Sequence, residues 1–156
     1  MTTITHPYFG SLSADSPNVI WERELPLGDE TVETTLWLDG EEALNPATLD
    51  DFAALLGRLP EIDGQARAAL TAYLADDDSY ITLHVQELDG GAQLPTDPAA
   101  FAAAMTLQHI GLWLSDPTED ESEVVLDYSI DPEHTNYLLA VRLSATGALQ
   151  SIDWES

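Results

Sequence analysis

Cysteine and lysine are both missing from this 156-residue chain, and positive charge of any kind is scarce: apart from four histidines, Arg23, Arg58, Arg67 and Arg142 are the only basic side chains. Without thiols there are no disulfides, thiolate metal ligands or thiol nucleophiles, and without lysine there is no Schiff-base chemistry. No run of about 18 apolar residues occurs, so no segment has the composition of a membrane-spanning helix. The opening MTTITHPYFGSLSADSP has neither a basic start nor a continuous apolar stretch. A soluble, unexported, cytoplasmic protein is the expectation.

Acid is what the chain has in quantity. Its 29 carboxylates give a formal charge of −25. Nucleic acid and anionic membranes would be repelled, so a basic protein partner, or none, is the consistent expectation. The acids are spread evenly along the chain and form no tail. That distribution suits a general surface property, such as solubility or a salt-adapted host, as readily as a dedicated site. With 44% hydrophobic residues the chain can bury a core, and its length fits a single domain over residues 1–156.

The apolar periodicity divides the chain into three parts. In VIWERELPLGDETVETTLWLD, residues 19–39, two alternating runs flank Gly28-Asp29, which suits a two-residue hairpin turn. With Leu27 opposite Glu30, the register places Leu25 against Val32, Arg23 against Thr34, Trp21 against Leu36 and Val19 against Leu38. One face is then largely apolar, and the other carries Ile20, Glu22, Glu24, Glu33, Thr35 and Trp37. Helices follow. Asn45-Pro46 caps the first, with Leu49, Phe52, Ala53, Leu56 and Leu59 at helical spacing, and the second begins near Pro60. YITLHVQEL alternates like a strand and also repeats like a helix; the capping residues Asp76 to Ser79 before it and Gly90-Gly91 after it favour a helix. Another helix starts at Asp97-Pro98. From Ile110 the period becomes two, and four strands joined by short turns predict an antiparallel meander. The expected fold is α+β: an N-terminal hairpin, three to four central helices and a C-terminal four-strand meander, together forming a sheet of about six strands packed by helices.

The opening HPYFGSL, the hairpin VIWERELPL and VETTLWLD, the central helices and the ending YLLAVRLSATGALQSIDWES resemble the bacterial family catalogued as domain of unknown function 2004. The resemblance covers nearly the whole chain. Its motifs are structural rather than catalytic, so it implies no activity and transfers no functional residue.

The residues that could carry chemistry are sparse. SDPTEDESE, residues 115–123, reads as a metal cage, a phosphate mimic or a solvated turn. It lacks the glycine and the final glutamate at the positions a calcium loop requires, while Asp116-Pro117 initiates turns, so a solvated hairpin tip is expected. Asp76 to Asp78 read as helix capping in the same way. No two of His6, His84, His109 and His134 stand at zinc-ligand spacing; a site joining His84, His109 and His134 would have to be assembled by the fold. No nucleophile elbow and no phosphate-binding loop is present, and nothing singles out a pair of carboxylates for glycoside chemistry. No catalytic residue, metal ligand or cofactor is expected.

The tryptophans are more informative. Trp37 and Trp113 both fall on the strand face opposite the apolar alternation, where they are either covered core or the centre of an amphipathic binding surface. The candidate partner-binding face is Trp37 and Trp113 with Glu22, Glu24 and Glu33. The function that follows is a non-catalytic protein-binding domain, immunity-type or regulatory, for a basic partner. The alternative is a hydrolase using carboxylates or a fold-assembled metal site.

Overall fold

The structure, a computed structural model, describes residues 3–13, 19–38, 43–115 and 121–155. Two short strands, β1 (Thr3–His6) and β2 (Gly10–Ser13), form a separate hairpin. The main sheet has six strands in the order β3 (Val19–Leu27), β4 (Glu30–Leu38), β5 (Thr106–Leu114), β6 (Glu123–Ser129), β7 (Leu138–Ser144) and β8 (Leu149–Glu155). Its neighbours pair antiparallel except β4 and β5, which run parallel because the whole helical segment lies between them. The α+β architecture, the long hairpin and the meander are as the periodicity predicts.

The long hairpin turns at Gly28, whose φ of 62° is the left-handed conformation that glycine adopts without a Cβ clash. From Leu27 opposite Glu30 back to Trp21 opposite Leu36 the register is the expected one. Beyond it the register shifts. Val19 pairs with Trp37, not with Leu38, because a β-bulge at Ile20 inserts one residue and reverses the phase of what precedes it. Ile20 therefore packs against the core, and Val19 joins Trp37 on the opposite face.

Four helices cover one face of the sheet. Asn45 caps α1 (Pro46–Leu56) by accepting from the Ala47 amide at 3.0 Å, and Leu49, Phe52, Leu55 and Leu56 point inward. Helix α2 (Leu59–Asp76) buries Leu59, Ile62, Ala66, Leu70 and Leu74, so Leu59 opens the second helix rather than closing the first. The ambiguous YITLHVQEL is helical, as its flanks predict: α3 spans Ser79–Glu87. Asp77 supplies its anchor, accepting from the Ser79 amide and hydroxyl at 3.0 and 2.6 Å, and these bonds hold its carboxyl below the usual range. Asp97 caps α4 (Pro98–Ala104) through the Ala100 amide. Against these helices stand Val32, Leu36, Ile110, Leu112, Leu126, Tyr128, Leu139 and Val141 in a single core. Among the described residues no helix is long and apolar enough to cross a membrane.

The β1–β2 hairpin has no counterpart in the apolar periodicity. It inserts Phe9 and Leu12 into the core, Phe9 meets Trp21 edge-on at 4.9 Å, and His6 Nε2 lies 2.7 Å from Asp50 on α1. Strands of four residues are too short for alternation to be distinguished from chance.

Candidate functional site

Alternation along each strand sends every second side chain away from the helices. On that opposite face the register places Trp37 directly beside Trp113, His109 beside Asp127, Gly111 beside Val125, and Arg142 beyond Val125. No helix among the described residues covers it. Trp113 is 40% exposed and Trp37 is half-buried.

The two indoles stack, with ring centroids 4.3 Å apart and planes 11° from parallel. Gly111 makes this possible. A Cβ there would stand 2.9 Å from a ring carbon of Trp37 and 3.0 Å from the Trp113 indole nitrogen, so both rings fold down over a strand position that has no side chain. A second bulge completes the arrangement. β5 shifts register between Leu107 and His109, so Leu107 stays on the core side while His109, Gly111 and Trp113 face outward. His109 then meets Trp37 edge-on at 5.4 Å.

Beside the stack is a cup of about 320 Å³. Trp113 forms one wall, Val125 lies sunk at its base, and Arg142 stands opposite. Three carboxylates grip Arg142: Glu123 at 2.8 Å, Asp153 at 2.7 Å and Glu155 at 3.2 Å. Burial works against the guanidinium charge, but the Asp153 hydrogen bond and the three negative charges outweigh it and raise its pKa. Asp127 is different, since its ion-pair neighbour, His109, stands 3.6 Å away, beyond hydrogen-bonding range.

The expected binding residues are brought together in part. Trp37 and Trp113 are in contact. Glu22, Glu24 and Glu33 are exposed on the same face, Glu24 opposite Glu33 and Glu22 opposite Thr35, on the side of Trp37 away from the cup. Sequence periodicity did not reveal the Glu123, Asp127 and Arg142 side of the site, because only strand order places those residues beside Trp113. The acidic run at 116–120 lies outside the described residues; at its ends Ser122 accepts from the Ser115 amide at 2.9 Å.

Thr35 Oγ1 lies 3.0 Å from His109 Nε2, with Asp127 on the other ring nitrogen, the atom order of an acyl-transfer triad. The order is not sufficient. Thr35 is 3% exposed, and its strand is paired on both sides, so its hydroxyl is shielded and the amides of its own strand are taken up in the sheet rather than free to stabilise an oxyanion. What this chain of contacts does is orient the imidazole against Trp37.

The fold does not join His84, His109 and His134. His109 belongs to the outward face, while His84 and His134 line a pocket of about 340 Å³ between α3 and the β6–β7 connection. His84 donates through Nδ1 to the Tyr80 carbonyl at 2.7 Å and bonds Thr135 through Nε2 at 3.0 Å. Among the described residues no group of three or more His, Asp or Glu side chains is arranged to hold a metal ion.

The two histidines of this pocket are expected to titrate apart. Burial pushes His84 below the ordinary value of 6.5, whereas the hydrogen bond and charge of Asp131 push exposed His134 above it. Since the unfolded chain takes up a proton near 6.5, the stability linked to neutral His84 is present above that pH and is lost as pH falls through its folded value. For His134 the sign is reversed. An NMR titration should show His134 protonating first as pH falls; coincident midpoints would refute the environments described.

Compared with known proteins, the chain matches no family profile, no curated sequence and no solved structure.

Proposed function

We propose that the protein is a non-catalytic binding domain whose uncovered sheet face receives a basic protein partner, in an immunity-type or regulatory role. The observation that carries this reading is the Trp37–Trp113 stack, a rigid apolar centre with one ring 40% exposed and with carboxylates on both sides. The Glu24–Glu33 pair adds to it. Like charges directly opposite across two strands repel, and a cation docked between them removes the repulsion. None of the chain's four arginines supplies such a cation, because Arg58, Arg67 and Arg142 are hydrogen-bonded within the fold and Arg23 lies over the Tyr8 and Trp21 rings. The likeness to domain of unknown function 2004 is compatible with this role and adds no activity to it. A hydrolase has the Thr35–His109–Asp127 contacts in its favour and the burial of Thr35 against it.

The test compares wild type with Trp113→Ala and with Glu24→Gln/Glu33→Gln for binding to a peptide rich in arginine and lysine. Trp113→Ala should weaken binding by about 2 kcal/mol, roughly thirtyfold, as central interface aromatics do. Its melting temperature should hardly change, because the ring lies on the surface. Unchanged affinity in both variants would remove the face as the binding site.

A further inference from the structure

Resting on the basic-partner reading, we infer that the cup between Trp113 and Arg142 is a pocket for one arginine side chain of the partner, with the guanidinium stacked on the exposed indole and hydrogen-bonded to Asp127. Three observations carry this.

The first is the aromatic wall. Guanidinium groups are planar and weakly hydrated and lie flat on indoles, whereas a lysine ammonium is compact and strongly hydrated. The protein already places guanidinium groups over aromatic rings: Arg23 sits 5.2 Å from the Trp21 indole and 5.9 Å from the Tyr8 ring, and Arg67 sits 5.2 Å from the Tyr128 ring. Among the described residues neither Trp37 nor Trp113 carries a guanidinium of the chain's own.

The second is charge. Around the cup Glu123, Asp127, Asp153 and Glu155 face a single guanidinium, that of Arg142, so the surroundings are anionic even after the internal ion pairs are made. Arg142 does not occupy the ring: carboxylates on all three of its nitrogens hold it on the other side of the cup, and its guanidinium does not lie over Trp113.

The third is an acceptor. Glu123, Asp153 and Glu155 are spent on Arg142, but Asp127, about a fifth exposed at 20%, has its ion-pair neighbour 3.6 Å away. A carboxylate in that state matches the two parallel N–H groups of a guanidinium. A second copy of this chain would not serve as the occupant. It carries the same −25 charge, and its arginines are engaged within its own fold.

Two peptides of equal length and charge, one with arginine and one with lysine as its cationic residue, distinguish the possibilities by calorimetry at one ionic strength. Wild type should bind the arginine peptide at least about tenfold more tightly. Asp127→Asn should largely abolish that preference while leaving the lysine affinity nearly unchanged, and Trp113→Ala, which weakens both peptides, should weaken the arginine peptide more and so shrink the preference. Asp127→Asn keeps the side-chain shape, so it tests the charge in a folded protein even where the alanine variant is impaired. Equal affinity for both peptides, or a preference that survives Asp127→Asn, would overturn the arginine pocket and leave the basic-partner reading standing. Failure of both peptides to bind would overturn both readings.

Discussion

Replacing Arg67 by alanine is expected to lower the unfolding free energy by about 3 kcal/mol, because the side chain joins three elements. From α2 its Nε lies within 3.2 Å of both Asp63 oxygens, and its Nη1 donates to the carbonyls of Ala102 and Met105 at 2.8 Å each. Those carbonyls belong to the C-terminal end of α4, where backbone acceptors lack helical partners. Tyr128 on β6 completes the junction by donating to Asp63 at 2.6 Å; burial and the Asp63 carboxylate push its phenol well above the ordinary value. Removing the guanidinium leaves a carboxylate at 17% side-chain exposure without its cation and a short helix without its C-terminal donor. The partial exposure of the pair places the effect at the lower end of the range for buried ion pairs. At about 2 to 4 °C per kcal/mol for a chain of this size, the melting temperature should fall by roughly 6 to 12 °C. Arg67→Lys should recover less than half, since an ammonium lacks the planar fork. A loss below about 1 kcal/mol in Arg67→Ala would show that the junction is held by packing alone.

Gly111→Val should act in the opposite sense, with a small effect on stability and a large one on binding. Its Cβ would have to occupy space 2.9 Å from Trp37 and 3.0 Å from Trp113, and valine adds two methyl groups beyond that. The indoles are on the open side of the sheet and can swing outward, so the overpacking cost is expected near the bottom of its range, about 1 kcal/mol. Valine's preference for strands offsets part of it. The stack does not survive the swing. The circular-dichroism couplet of two coupled indoles should disappear, and affinity for a basic peptide should fall by about 2 kcal/mol, as for loss of a central aromatic. A variant that keeps both the couplet and the affinity would mean that Gly111 is not what permits the stack.

How much of this was legible in the sequence depended on how local the determinant was. The Gly28-Asp29 turn fixed the hairpin register over most of its length, and alternation alone put Trp37 and Trp113 on a common face. Flanking caps decided the ambiguous α3. The two bulges were not legible, since one inserted residue reverses the phase without leaving a compositional mark; simple alternation therefore puts Val19 opposite Leu38 and Leu107 in phase with the outward His109, whereas Val19 pairs with Trp37 and Leu107 is on the core side. The other half of the site depended on non-local pairing. Thr35, His109 and Asp127 come from three strands, and their contact exists only because β4 pairs with β5 in parallel across the helical segment. Asp63 and Arg67 are one helical turn apart and visible as a pair, but the carbonyls of α4 that Arg67 reaches are about 35 positions away.

The central claim is that partners dock on the sheet face bearing the tryptophan stack. The four tryptophans provide separate reporters, because Trp37 and Trp113 lie on that face, Trp21 packs beneath the β1–β2 hairpin, and Trp154 lies on the helix side against Tyr80 and Tyr137. Trp154 is 36% exposed, which makes it a control for non-specific attraction to the acidic surface. Following the indole N–H resonances during titration with an arginine-rich peptide should show Trp37 and Trp113 shifting together and saturating, while Trp21 and Trp154 stay in place. Shifts of equal size at Trp154, or movement of all four without saturation, would contradict the claim.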